Sequence, residues 1–252
     1  MNSSQFCFMT ILVTSDLHGN LPVIDKEFDL LLICGDVCPA HDHYMSFQTE
    51  WICNEFKEWI LSLPYKDVDS KVVMVWGNHD FVGRNYKRTE NIPSFSEFNN
   101  RLVILNNEER EICGLRIFGT PYCSIFGNWA FMVENETLNA KYSNITEGLD
   151  ILISHDSPTI NGLGSITEGV YKDYTTGNRV LDLHITKNKP KMFFSGHFHS
   201  GNHKVEKIED VWMANVSIVN ERYKPINPIL CVDYDPQNEL NVNNFTYLPC
   251  DF

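Results

Sequence analysis

Five short apolar runs constrain this chain more than any other feature, because each is halted by a small residue and then meets residues able to bind a metal. Ile11-Leu12-Val13 leads into Ser15-Asp16-Leu17-His18, and Leu30-Leu31-Leu32-Ile33-Cys34 into Gly35-Asp36. Val72-Val73-Met74-Val75-Trp76 leads into Gly77-Asn78-His79-Asp80. Ile151-Leu152-Ile153 leads into Ser154-His155, and Met192-Phe193-Phe194 into Ser195-Gly196-His197-Phe198-His199. Apolar runs without alternation suit strands covered on both faces. Helical stretches lie between them. From Phe47 to Leu63, the residues Phe47, Trp51, Phe56, Trp59 and Ile60 fall near helical spacing before Pro64, and Asn178 to Asn188 reads as a second helix. Strands alternating with helices indicate an α/β layered fold, and such sheets bind ligands at the carboxyl ends of their strands. All five metal-capable groups stand at those ends.

The remaining segments read as β-structure: Leu102 to Leu105, Glu109 to Cys113 and Leu115 to Phe118, then Lys204 to Ile208, Val211 to Ala214, Val216 to Val219 and Ile229 to Tyr234. Two packed sheets with helices outside is the expected architecture. No linker, repeat or low-complexity tract divides the 252 residues, so one domain over 1–252 is expected.

With 33 acidic against 20 basic residues the formal charge is −13, a field that repels duplex nucleic acid and anionic membrane. Small phosphates are repelled too, unless bound metal reverses the local sign. The eight cysteines (Cys7, Cys34, Cys38, Cys53, Cys113, Cys123, Cys231 and Cys250) form no C-x-x-C pair and are too dilute for a disulfide scaffold; they read as buried reduced thiols. Phe6 to Val13 lacks a preceding basic region and reads as a strand, not a signal peptide. The sequons beginning at Asn2, Asn135, Asn144, Asn215 and Asn244 are expected by chance in an Asn-rich chain. A cytoplasmic protein is the expectation, as monomer or homodimer.

The D-x-H pair Asp16 and His18 places both side chains on one side of an extended turn, and the H-x-H pair His197 and His199 does the same. Asp36 offers two carboxylate oxygens able to bridge cations, Asn78 a neutral amide oxygen, and His155 a further imidazole. Mixed nitrogen and oxygen donors without thiolate favour Mn, Fe, Zn, Co or Ni over Ca or Mg. Two such ions clamp the attacking and leaving oxygens of an in-line displacement, which suits phosphate-ester hydrolysis.

The ordered motifs D-x-H, G-D, G-N-H-D, S-H and G-H-x-H resemble those of the calcineurin-like metallophosphoesterase superfamily. Gly119-Thr120-Pro121 with Asn128-Trp129-Ala130-Phe131, and Asn215 through Tyr223-Lys224-Pro225-Ile226-Asn227-Pro228, resemble the branch of metallophosphoesterase domain-containing proteins, related to class III cyclic-nucleotide phosphodiesterases. The resemblance implies a four-layer α/β/β/α sandwich with a dinuclear site. Asp16, His18 and His199 would hold the first metal, Asn78, His155 and His197 the second, and Asp36 would bridge them. Manganese is the favoured ion. His79 would face the leaving-group oxygen as proton donor or charge stabiliser, with a metal-bridging hydroxide as nucleophile. One departure stands out: Asp156-Ser157-Pro158 follows His155, where many branch members carry Gly-Pro-Pro.

Singly, each residue has a plainer role. Asp16 or Asp36 would cap a helix, Asn78 would turn the chain and His155 would be a packing residue; it is their joint order that favours metal. Asp80 reads as a residue that orients a neighbour, and His184 and His203 as structural or surface groups. His41 and His43 read as a solvated loop near the site mouth and Arg84 as a surface ion-pair residue, with substrate contact the alternative for all three. Trp129 and Phe131 read as core. The expected activity is a phosphodiesterase acting on a small, nucleotide-like or cyclic-nucleotide ester. The alternative is a scaffold on the same fold that binds a nucleotide or partner without turnover. The absence of an Arg shortly after Asp36 disfavours the protein phosphatases of the superfamily.

Overall fold

The computed structural model describes residues 8–84, 95–168, 172 and 174–251. Phe6, Cys7 and the sequon at Asn2 therefore lie outside the described residues. Two six-stranded mixed sheets form the centre. In the first, the parallel strands Met9–Thr14, Leu30–Ile33, Lys71–Met74 and Leu102–Ile104 lie side by side, and Ile229–Tyr234 and Phe245–Leu248 extend the Met9–Thr14 edge antiparallel. In the second, Leu115–Thr120, Ile151–Ser154, Met192–Ser195 and Val211–Asn215 run parallel, flanked by antiparallel Glu108–Ile112 and Glu206–Ile208.

Side chains alternate across each strand, so an unbroken apolar run supplies two cores at once. Leu30 and Leu32 point between the sheets, where they join Ile11, Val13, Ile151, Ile153 and Phe194. Leu31 and Ile33 point outward onto Trp51, Ile52, Phe56 and Ile60 of the outer helical layer. On the far side Leu152 and Phe193 meet Leu138 and Tyr142 of the helix Asn135–Tyr142, and Leu181 and Ile185 of the helix Arg179–Asn188. The result is the expected order of layers, helix, sheet, sheet, helix.

The first helical layer runs from Met45 to Ser62, as α-helix Met45–Trp51, a π-helical stretch Ile52–Phe56 and α-helix Lys57–Ser62. Leu63 leaves it with extended backbone, as the residue before Pro64 must. Asn178 caps the helix Arg179–Asn188 by accepting from the peptide N–H groups of Val180 and Leu181. The segment Val216 to Val219, expected as a strand, belongs to neither sheet. It crosses between them, its N–H of Val216 donating to Ser195 in one and that of Ile218 to Ser15 in the other. Its apolar run reflects burial on all sides, not pairing in a ladder.

Register sets the level of the site. Thr14, Ile33 and Met74 pair in one row of the first sheet, and Thr120, Ser154, Ser195 and Asn215 in one row of the second. The chain leaves the strands there, so every ligand-bearing turn emerges at the same height. Among the described residues no helix is long and apolar enough to cross a membrane, and the described cysteines form no disulfide. Cys53, Cys113 and Cys250 are half-buried, where the sequence predicts buried thiols.

Candidate metal centre

Backbone strain marks the turns that carry these side chains. Asp16, His18, Asp36 and His197 adopt left-handed φ angles of 55°, 45°, 52° and 68°, a conformation uncommon outside glycine and kept where surrounding contacts enforce it. Those contacts are present. The N–H of Asp16 donates to Gly35 O, that of His18 to Asp36 O and that of Gly19 to Val37 O, zipping the first two turns together. Gly77 and Gly196 admit no side chain, since a Cβ on either would overlap the carboxylate of Asp36 or Asp16.

The gathered donors fall into two sets. Asp16, His18 and His199 converge, with His18 Nε2 and His199 Nε2 3.2 Å apart and Asp16 Oδ1 3.9 and 3.6 Å from them. Asp36 Oδ2 stands between this set and the next, 3.7 Å from His18 Nε2 and 3.4 Å from His155 Nε2. His155 Nε2 lies 2.8 Å from Asn78 Oδ1. His197 is placed less tightly; its ring centroid is 5.0 Å from that of His155 while its peptide N–H donates to both Asp16 oxygens. His155 Nδ1 and His199 Nδ1 are turned to the carbonyls of Cys34 and Asn220, leaving Nε2 of each directed at the cluster.

The electrostatics fit a cation. Asp16 and Asp36 are buried, yet neighbouring imidazoles overcome the burial and hold both carboxyls below their ordinary range. No Lys or Arg of the described residues pairs with either. Burial pushes His18 and His197 down to about 3, which makes them neutral donors. Burial also disfavours charge on His155 and His199, but Asp36 raises the former to about 10 and Asp16 raises the latter. The proton on His155 thus stands where a divalent ion would balance the carboxylates, and Asp16 pulls His199 in the same direction.

His79 adjoins this cluster. Its peptide N–H donates to Asp36 Oδ1 at 2.7 Å, and its carbonyl accepts from Gln48 Nε2 at 2.7 Å. Its ring lies against half-buried Trp129, centroids 4.4 Å apart, and its Nδ1 is 3.0 Å from His43 Nε2. Burial pushes its pKa down, against the pull of Asp36. Asp80 is a brace, accepting from the N–H groups of Gly77, Val37 and Cys38 at 2.8, 3.2 and 2.9 Å. Burial, with Asp36 adding to it, raises its pKa.

Of the residues weighed for substrate contact, only His43 is brought to this wall. His41 is exposed with its ring against Phe47, and Arg84 is exposed at the end of the short helix Phe81–Arg84. Trp129 is not core as expected but a wall of the His79 side; Phe131 is core. His184 joins the two outer helices through Asn139, and His203 Nε2 meets His199 O, both structural. Sequence reasoning missed Tyr223, whose ring lies 4.8 and 5.2 Å from those of His18 and His199. Its left-handed φ of 57° follows an Asn220 turn, in which Asn220 Oδ1 accepts from Arg222 and Lys224. Besides the branch-like stretch that contains Tyr223, that Asn was the local signal available.

Residues 9–201, which contain every candidate ligand, match the calcineurin-like phosphoesterases. The chain belongs to that family. Membership makes it a metal-dependent phosphoesterase, and the donor sets above are where this chain could hold divalent ions. It is 26% identical over 240 residues to human Metallophosphoesterase domain-containing protein 1, covering 87% of this chain and 69% of the relative. Among solved structures, TT1561 of Thermus thermophilus aligns with a TM-score of 0.57 at 14% identity, over 90% of this chain and 95% of that one. Phosphopantetheinyl Hydrolase (PptH) from Mycobacterium tuberculosis aligns at 0.50 and 16%, over 92% and 98%. At these identities the two structures share the fold of this calcineurin-like phosphoesterase.

Proposed function

We propose that this phosphoesterase is a dinuclear phosphodiesterase of the cytoplasm acting on a small phosphate ester. Asp16, His18 and His199 would hold one ion, Asn78, His155 and His197 the other, and Asp36 would serve both. The observation that carries this is the position of Asp36 Oδ2, within 3.7 Å of a ring nitrogen of each set. A donor set of imidazole, carboxylate and amide without thiolate favours Mn, Fe, Zn, Co or Ni over Ca or Mg, and manganese is the ion proposed. Bound there, the ions supply Lewis acidity toward water and the phosphoryl oxygens.

The chain's own groups complete the chemistry. His79 Nδ1 is engaged by His43, so Nε2 is the nitrogen left to pass a proton to the departing oxygen. The Trp129 face and the hydrogen bonds of the His79 peptide group fix that ring. Tyr223 covers the rings of His18 and His199 and limits water beside them.

Metal analysis with manganese-supplemented hydrolysis of bis-nitrophenyl phosphate and nitrophenyl phosphate tests this reading. Two ions per chain and faster diester turnover are expected. Monoester preference overturns the phosphodiesterase assignment, and bound nucleotide without turnover of either ester indicates the scaffold.

A further inference from the structure

A cleft of about 820 Å³ opens beside the candidate centre, sharing His197 with it and walled by Ile125, Phe126, Ile166 and Phe198. Its size falls in the range of small-molecule sites. Phe126 is 62% exposed and Ile125 48%, while the ring of Phe126 lies 5.4 Å from that of His197. The loop presenting them is pinned. Asp156 is buried and accepts from the N–H of Ser124, from the N–H of Ser157 and from Asn178 Nδ2, so the sequence departure after His155 anchors this wall. The charged residues among the described lining are both acidic, Asp156 and Glu221, and Glu221 is tied to Ser200 Oγ at 2.7 Å. His79 does not line the cleft, and its own wall is His43 and Trp129.

We propose that this cleft receives the ester group retained on phosphorus, and that it selects an uncharged aromatic or apolar substituent carrying no second anionic group. The inference rests on the phosphodiesterase reading and deepens it. Two ester groups need two compartments. The His79 wall suits the departing oxygen, and the Phe126 cleft gives the other substituent an apolar surface beside the phosphoryl site. Stacking on Phe126 favours a flat ring. A second phosphate or a carboxylate placed there meets two acidic side chains with no cation among the described lining residues, which disfavours it. A monoester leaves the cleft unused.

The test compares diesters with one leaving group, phenyl, methyl and 4-carboxyphenyl nitrophenyl phosphate, on the manganese-loaded protein. The phenyl ester is expected to exceed the methyl ester in kcat/KM by about tenfold, the scale of filling an apolar pocket. The 4-carboxyphenyl ester is expected to fall below the phenyl ester. Phe126→Ala, at an exposed position, is expected to collapse the phenyl-to-methyl ratio toward one, and Glu221→Gln to narrow the gap between phenyl and carboxyphenyl esters. A wild-type ratio near one, or a ratio unmoved by Phe126→Ala, overturns the proposal. Binding of diphenyl phosphate, followed by NMR of the isoleucine methyl groups, gives a readout independent of turnover. Shifts at Ile125 and Ile166 that weaken in Phe126→Ala support the cleft even if no ester is hydrolysed, a result that would remove the phosphodiesterase reading alone. Absence of such shifts removes the cleft.

Discussion

The two sheets supply the centre in different chemical forms. Turns of the first sheet bring the carboxylates Asp16 and Asp36, with His18 and Asn78 beside them, and its carboxylates also clamp backbone. Asp36 holds the N–H of His79, Asp80 holds those of Gly77, Val37 and Cys38, and Asp16 reaches across to that of His197. Turns of the second sheet bring imidazoles. His155 spends one ring nitrogen on Cys34 O, and His199 one on Asn220 O. A carboxylate has several lone pairs and can brace a loop while still facing a cation, whereas an imidazole oriented through one nitrogen has one left. The carboxylate ligands of the first sheet therefore carry loop architecture and ligand chemistry together, whereas the imidazole ligands of the second carry chiefly ligand chemistry and leave loop bracing to Asp156.

The sharpest way to break that division is to compare Asp36→Ala with His197→Asn. Asp36→Ala is expected to lower kcat/KM at least about a hundredfold. It should also cost the chelated protein about 1–3 kcal/mol, because the His79 N–H loses its acceptor. His197→Asn, at a left-handed position that Asn tolerates, is expected to lower activity but to leave chelated stability within about 1 kcal/mol. Equal destabilisation by the two, in denaturant unfolding with chelator, would erase the distinction.

Asp80→Asn isolates bracing from ligation. Asn keeps one acceptor oxygen, so at least one of the Gly77, Val37 and Cys38 N–H groups is left facing an amide NH2, which should destabilise the chelated protein by about 1–3 kcal/mol and weaken manganese binding about tenfold. Unchanged unfolding together with unchanged metal affinity would show that the brace is dispensable.

The imidazole half is expected to respond to pH. His155, raised to about 10, keeps its proton at neutral pH until a metal displaces it, and His199 is shifted in the same direction. Manganese affinity should therefore climb as pH rises from neutral toward about 10, and uptake in weak buffer should acidify the solution. In the metal-free protein the sign is opposite. The stabilisation from His155 is complete below its unfolded value of 6.5 and fades as pH rises toward about 10. Metal uptake without proton release would overturn this charge balance.

The smallest effect is expected at His43, which touches the centre only through His79 among the contacts found. His43→Ala should slow diesters with alkyl leaving groups by about tenfold more than nitrophenyl esters, which need little protonation. His43→Gln, able to donate its amide N–H to His79 Nδ1 as the His43 ring does when His79 carries its proton on Nε2, should recover part of the loss. Equal slowing of both ester classes would leave His43 with a packing role.

Much of the centre was legible because it is written locally. An apolar run with a small residue and then Asp, Asn or His places a ligand at a strand end within four residues, and backbone geometry alone brings it there. The helix Asn135–Tyr142 was not legible, since it buries little beyond Leu138 and Tyr142 and has no clear apolar stripe. The segment Val216 to Val219 misled for the opposite reason, being apolar without belonging to a sheet.

Strand ends and ligand types were thus decided by the sequence itself, through periodicities that act over a few residues. Which ligands share a cation, and what walls them, was decided only by tertiary structure. Asp16 and His199 are 183 positions apart along the chain, yet 3.6 Å separates their reactive atoms. Trp129 and Phe126, from the loop between Cys123–Ser124 and Met132–Val133, and Tyr223, from another, reach the centre through positions that follow from packing and from anchors such as Asp156 and Asn220. No local pattern encodes such placements, because they arise from the register of two sheets and the closure of loops between them.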